Sequence, residues 1–346
     1  MMVLSVGLPG MFTDWGERVV SALIERAYGP ATTILANALD EIAEAVVVTG
    51  VEHLIVGVRQ PNARLRMALL ASRKPMIVFL ENPTRSALHL VANHGYSVPA
   101  AVRTVSGCCV TLMDFRRMEN ALILNPGYDS GNLEAGIRKI AAHLGVSLSD
   151  AEFAELVGEF TAIDMGRAPD ATFEGLTDRE QAMLNETLGT YADAFEGREL
   201  GKLIWPRELF GISDAPTEAA TRDIDIAGRA RCLVFGPYMQ LFAGSWKARV
   251  VLGFSAQTVG TRFMIDVATD APIGHTTITP DAAGVYEVIV DFAISESDRP
   301  IEVRVFNEKP SFEGHIALGF VSLTPAPVLQ AATIEQYLQE RAQPAL

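Results

Sequence analysis

Cysteine is scarce in this chain of 346 residues: Cys108, Cys109 and Cys232 are the whole complement. An odd count, one adjacent pair and no CxxC argue against a disulfide framework and against a cysteine zinc site. Histidine is equally thin, with six residues and no HExxH, so no metal ligand set is expected. His89 and His94 stand five apart, a spacing that does not put them on one helix face. Basic residues are short as well. The 28 Lys and Arg against 42 Asp and Glu leave a net charge of −14, which argues against nucleic acid and anionic lipid as partners. Neither nucleotide-loop pattern, GxxxxGK[ST] or GxGxxG, occurs. The opening MMVLSVGLPG has no basic n-region, and no apolar stretch nears the roughly 18 residues of a membrane span. A soluble, cytoplasmic protein without a membrane span is the expectation.

What is present divides into two periods. From Met2 to about Phe160, short apolar runs alternate with helical segments. Met2–Val6, Ala43–Val48, His53–Val58, Pro75–Leu80 and Cys108–Asp114 read as strands. Between the first two lies a helix on which Trp15, Val19, Val20, Leu23, Ile24 and Ala27 share one face. Strands separated by helices imply a parallel sheet covered on both faces. Helices follow at Leu133–Leu144 and Ser149–Phe160, and another at Asp178–Phe195, where Thr177 and Glu180 form a capping box.

The period then becomes two. Trp246, Ala248, Val250, Leu252 and Phe254 face one way, with Lys247 and Arg249 facing the other. The same alternation runs through Phe263–Val267, Tyr286–Phe292 and Ile301–Val305, as in a β-sandwich. The expected organisation is a three-layer α/β domain over 1–160, a helical connector over 161–225, an antiparallel sandwich over 226–325, and a helical tail over 326–346. The tail carries a short amphipathic helix at Thr333–Arg341.

A strand, a Gly/Pro turn and a helix at the N-terminus form the usual frame of an anion site, because free amides at a helix start attract negative charge. The segment Gly7-Leu8-Pro9, with Thr13 and Trp15, resembles the opening loop of the P-loop sulfotransferases, approximately GLPRSGTTWL. Three further pieces follow in that family's order: PMIVFLENPTRSAL at Pro75–Leu88, MDFRRMENALIL within Val110–Leu124, and AHLGVSLSDAEFAELV at Ala142–Val157. The resemblance covers about the first 160 residues. It implies a sheet-and-helix fold that binds the sulfate donor PAPS and transfers its sulfo group to a hydroxyl or amine.

The departures bear on that chemistry. The family's loop cation aligns with Gly10, and its small loop residues align with Met11 and Phe12, which are expected to fill the space of ligand oxygens. Asp14 and Glu17 stand in the first turn of the helix. The Arg that holds the donor's 3′-phosphate aligns with Glu81, and the corresponding Ser with His89. At about 4 Å and an effective dielectric near 20, each such change is worth roughly 4 kcal/mol before screening. If the loop retains a ligand, Gly7, Pro9 and Thr13 are its candidate contacts, and Arg59 a candidate relocated cation. The plainer reading of Arg59 is a solvated helix-face charge, and that of Thr13 a capping hydroxyl. His53, His89 and His94 are candidate general bases, each with structural histidine as the plainer reading. No cofactor is expected, PAPS being the exception if the cations have moved.

The segment Gly236–Phe254, GPYMQLFAGSWKARVVLGF, resembles β-sandwich modules found beside bacterial surface-polysaccharide transferases. A saccharide ligand would need exposed aromatics; Tyr238 and Phe312 lie in turn-like segments and are the candidates, whereas Trp246 alternates with core residues. Three readings result. The first is a sulfotransferase-like binding or accessory protein of bacterial cell-surface polysaccharide biosynthesis, with a saccharide ligand and protein partners from that system. The second is an active PAPS-dependent sulfotransferase. The third is a glycosyltransferase using Asp223-Ile-Asp225 as a metal-binding DxD.

Overall fold

The computed structural model describes residues 1–50, 52–125, 133–161, 175–297 and 299–326. The tail helix expected at Thr333–Arg341 lies outside the described residues. The chain divides into two compact units. The first comprises Met1–Leu200 with the short segments Pro237–Phe242 and Ser297–Ile301; the second comprises the remainder.

The first unit is built on five parallel strands: β1 (Met2–Gly7), β2 (Ala31–Leu35), β3 (His53–Val58), β4 (Met76–Phe79) and β5 (Ala121–Leu124), in the order β2-β3-β1-β4-β5. The strands are short and apolar because both faces are covered. Val3, Ile55, Ile77 and Phe79 pack with Trp15, Val19, Leu23 and Ile24 of α1 (Met11–Tyr28), and with Ile137, Ile140, Leu156 and Phe160. The alternate residues Leu4, Val56, Met76 and Val78 are buried too. Helices α2 (Leu39–Thr49), α3 (Ala63–Leu70), α4 (Pro83–His94), α5 (Val98–Phe115), α6 (Leu133–Leu144), α7 (Asp150–Thr161) and α8 (Asp178–Phe195) complete the unit. At α8 the Thr177 hydroxyl accepts from the Glu180 amide and the Glu180 carboxylate from the Thr177 amide, as the sequence implies.

Two expected strands are helical. Ala43–Val48 belongs to α2: the Glu41 carboxylate accepts from the Asn37 and Ala38 amides at the helix start, and this capping outweighs the strand preference of three valines. Cys108–Asp114 belongs to α5. That helix has Pro99 in its first turn and is buried on nearly every side, so no periodicity marks it as helical. Contrary to the sequence reading, this stretch is long and apolar enough to cross a bilayer; two-thirds of it is buried inside the protein, as in a core helix. Cys108 and Cys109 are free thiols buried within it.

The connector expected over 161–225 is not one element. Its helix α8 belongs to the first unit, and from Gly201 the chain enters strands of the second. These are β6 (Leu203–Pro206), β7 (Gly211–Ile212), β8 (Ala215–Ala219), β9 (Ile224–Asp225) and β10 (Arg231–Phe235). Pro237–Met239 (β11) is counted with the first unit. Then come β12 (Gly244–Phe254), β13 (Phe263–Ala268), β14 (Pro272–Ile278), β15 (Gly284–Ile294), β16 (Ile301–Asn307) and β17 (His315–Pro325). One antiparallel sheet runs β14-β13-β16-β10-β7-β8, and the other runs β15-β12-β17-β6 with β9 beside β17. The period-two reading holds in the packing: Trp246, Ala248, Val250 and Leu252 are buried, as are Ile265, Val267, Val303, Val305, Leu318 and Val321.

Candidate functional site

Parallel strands end together, so the residues following β1, β3 and β4 meet at one edge of the sheet. After β1 the chain passes Gly7, Leu8, Pro9 and Gly10 and enters α1. The turn is tight. A Cβ on Gly7 would lie 2.5 Å from the Thr13 hydroxyl, which itself donates to the Leu8 carbonyl at 2.7 Å. The Ser86 hydroxyl of α4 donates to the Pro9 carbonyl at 2.6 Å. Thr13 is fully buried, and its hydroxyl holds the loop.

Glu81, just beyond β4, reaches into this loop. Its carboxyl Cδ lies 2.8 Å from the position a Gly10 Cβ would take, and the Phe12 amide at the start of α1 donates to it. A carboxylate therefore sits where a helix N-terminus would receive an anion. Burial pushes the Glu81 carboxyl up to about 7, opposed by Arg85, by the Phe12 amide and by Arg59. Its Oε2 is buried without a hydrogen-bond partner.

Arg59, at the end of β3, is not a solvated helix-face charge. Its Nη1 donates to Glu17 Oε1 at 2.9 Å and its Nη2 lies 3.7 Å from Asp14. Ser5 Oγ donates to the same Glu17 oxygen at 2.8 Å. The Arg59 and Glu17 side chains are each only 11% exposed, so the pair is internal to the edge of the sheet. Partial burial raises the Asp14 carboxyl, with Arg59 opposing.

The expected plug is corrected. Met11 is exposed, and Phe12 is buried in the core, stacked on Trp15 at 5.8 Å and edge-on to Phe79 at 5.6 Å. A ring at the second helical position falls on the buried stripe, so the residue that enters the loop is Glu81. Sequence reasoning placed Glu81 at a second phosphate site and missed its reach to Gly10. The available signal was that β1 and β4 are neighbours, which brings the residues just beyond each strand to one place.

His89 and His94, on the second half of α4, lie closer than their spacing suggests, with ring centroids 5.2 Å apart. His94 is the last helical residue, and Gly95 follows in the left-handed conformation. Both imidazoles act electrostatically on Asp14. Burial lowers the His89 pKa, and Asn93 Nδ2 lies 3.1 Å from its Nδ1. His53 starts β3, at the opposite edge of the sheet, 3.1 Å from the N-terminal amine. Arg64 pairs with Asp40 at the surface, Arg66 pairs with Asp114, and Arg103 Nε donates to the Pro237 carbonyl at 2.8 Å.

Around Gly10, then, Asp14, Glu17 and Glu81 face Arg59 and Arg85. The carboxyl groups and guanidiniums thus share this edge of the sheet, with the Glu81 carboxyl in the cradle itself.

Tyr238 is half exposed and has a φ of 63°, the one positive value on a non-glycine among the described residues. It belongs to a segment grouped with the first unit. Phe312, in the second unit, is fully exposed on a loop pinned by the Gly228–Ser311 backbone bridge. In the Asp223–Asp225 pair, the Asp225 carboxylate accepts from the Ala227 amide at 2.8 Å. No group of three or more potential metal ligands occurs among the described residues.

No protein-family model and no curated protein matches the chain. Among solved structures, it is distantly similar to the mouse sulfotransferase SULT7A1 complexed with PAP, at 13% identity and a TM-score of 0.37, over 46% of this chain and 64% of that one. A carbohydrate-binding domain of a xylanase from the hindgut metagenome of Trinervitermes trinervoides aligns at 9% identity and a TM-score of 0.27. It covers 37% of this chain and all of that domain. A carbohydrate-binding module, TmCBM61, in complex with β-1,4-galactotriose aligns at 10% identity and a TM-score of 0.24, over 36% and 88% of the two chains. The chain thus spans just under two-thirds of the sulfotransferase's length.

Proposed function

We propose that this is a non-catalytic, sulfotransferase-like protein that binds saccharide as an accessory subunit of bacterial cell-surface polysaccharide biosynthesis. The observation that supports it is the Glu81 carboxylate against Gly10, accepting the Phe12 amide in the position a donor phosphate would need. With its pKa near 7, the Glu81 group ionises as pH rises through neutrality, and in that form it competes with an incoming anion for the same helix start. The Arg59 guanidinium, already engaged by Glu17 and Asp14, adds no free positive charge to offset it.

Calorimetric titration of the full chain with PAPS and with its desulfated product PAP tests the reading. No saturable binding at micromolar concentrations is expected. Tight saturable binding would overturn it in favour of an active sulfotransferase, and loss of that binding in Arg59→Ala would identify the relocated cation.

A further inference from the structure

The sheet β14-β13-β16-β10-β7-β8 has a second face. Ile265 and Val267 of β13 and Val303 and Val305 of β16 point into the core, so Met264, Asp266, Glu302, Arg304 and Phe306 point the other way. The pairing sets Asp266 opposite Arg304, Met264 opposite Phe306, and Ala268 opposite Glu302. On the far side of β13, His275 stands opposite Asp266 and Thr277 opposite Met264.

The polar centre of this face is fixed. Arg304 donates from Nε and Nη2 to the two oxygens of Asp266 at 2.9 and 2.7 Å, a bidentate fork. The Asp266 side chain is 3% exposed and that of Arg304 26%. The Arg304 Cζ lies 5.5 Å from the Phe306 ring centroid. Arg304 Nη1 has no hydrogen-bond partner among the described residues, and neither has the Glu302 carboxylate. Glu302, Phe306 and Met264 are all half-buried. Burial raises the Glu302 carboxyl, against the pull of Arg304.

We propose that this face binds a neutral saccharide, through Arg304 and Glu302 to ring hydroxyls and through Phe306 and Met264 to the apolar face of the pyranose. A sugar hydroxyl both donates and accepts, so it can satisfy an unpaired guanidinium N–H and an unpaired carboxylate together. A flat, half-exposed ring and a thioether beside them give the C–H face a surface to cover. Charge selects the class. One guanidinium against two carboxylates leaves the face net negative, which disfavours sulfated or uronate-bearing ligands. The inference rests on the saccharide-binding part of the proposed function and assigns it to residues other than Tyr238 and Phe312.

The test is methionine-methyl NMR on the full chain, with the Met264 signal assigned from Met264→Leu. Cellotriose, xylotriose and β-1,4-galactotriose serve as neutral probes, and trigalacturonate as an anionic one. At least one neutral trisaccharide is expected to shift Met264 saturably, and trigalacturonate to bind more weakly. Phe306→Ala and Glu302→Ala are expected to weaken binding about tenfold or more, while Phe306→Tyr preserves it and shows that the face still folds. Silence at Met264 with every neutral probe overturns the inference, as does unchanged affinity in Phe306→Ala or tighter binding of trigalacturonate. If a neutral probe binds but only Tyr238→Ala or Phe312→Ala abolishes binding, the inference falls and the proposed function stands. PAP titration of the N-terminal loop is unaffected by any of these outcomes.

Discussion

Glu81 and Gly10 share one space: a side chain on Gly10 would overlap the Glu81 carboxylate. Gly10 has a φ of 170°, an extended conformation open to any residue, so it is the neighbour and not the backbone that requires glycine. Gly10→Ala should therefore destabilise the protein by about 1–3 kcal/mol through crowding. In a Glu81→Ala background the same substitution should cost under about 0.5 kcal/mol. Urea melts of the four proteins give the coupling, and strictly additive costs would show that the two residues do not compete.

The same carboxylate makes stability depend on pH. Its pKa lies near 7 when folded against an ordinary 4.5. The folded state therefore holds this proton more tightly than the unfolded one. The contribution is greatest below pH 4.5, declines as pH rises through 7, and is then a constant penalty of about 3 kcal/mol at most. Glu81→Gln should match the parent near pH 5 and exceed it in thermal stability at pH 8. A variant with the parent's pH slope between 5 and 8 would remove Glu81 as its source.

Arg59 answers two carboxylates at a nearly closed edge of the sheet. Arg59→Ala leaves Glu17 buried without its cation and should cost about 2–4 kcal/mol. Adding Glu17→Gln should recover much of this, because an uncharged amide tolerates the site. Guanidinium melts of the single and double variants decide it, and an unaltered melt for Arg59→Ala would mean that the pair contributes nothing.

Phe12 and Met11 are adjacent in sequence and opposite in fate. Phe12→Ala removes a ring packed on Trp15 and Phe79 and should cost about 3–5 kcal/mol. Met11→Ala, at an exposed position, should change stability by less than about 0.5 kcal/mol. Thermal melts of both variants separate a core residue from a loop plug; equal costs would contradict the assignment.

The legible parts of the fold were those that local chemistry decides. β1 and β3 are apolar runs ended by Gly7 and Arg59, and α8 begins at Thr177 because its cap and Glu180 lie within four residues of each other. Trp246 was legible because alternation along a strand reports which face is buried. The misread segments are those where local preference and tertiary context conflict, as at Val46–Val48, or where burial on all sides erases the pattern, as at Cys108–Cys109. Strands β2 and β5 went unread because each is short and draws its identity from its neighbours. At the site, the sequence shows that a cation is missing at Gly10, but the arrival of Glu81 is a long-range contact that only the strand order reveals. Arg59 was visible as a charge, yet its engagement with Glu17 and Asp14 depends on β3 lying beside β1.

The sulfur atoms of α5 give the molecule an internal clock. Burial holds the Cys108 thiol up at about 12 and raises that of Cys109 well above its ordinary value too, so neither ionises at neutral pH while the helix stays packed. Cys232 is less enclosed, although burial raises its thiol as well. A thiol-reactive dye should mark Cys232 first and touch the helical pair only when the first unit opens. The lag between the two labels then times that opening event in an unmodified chain.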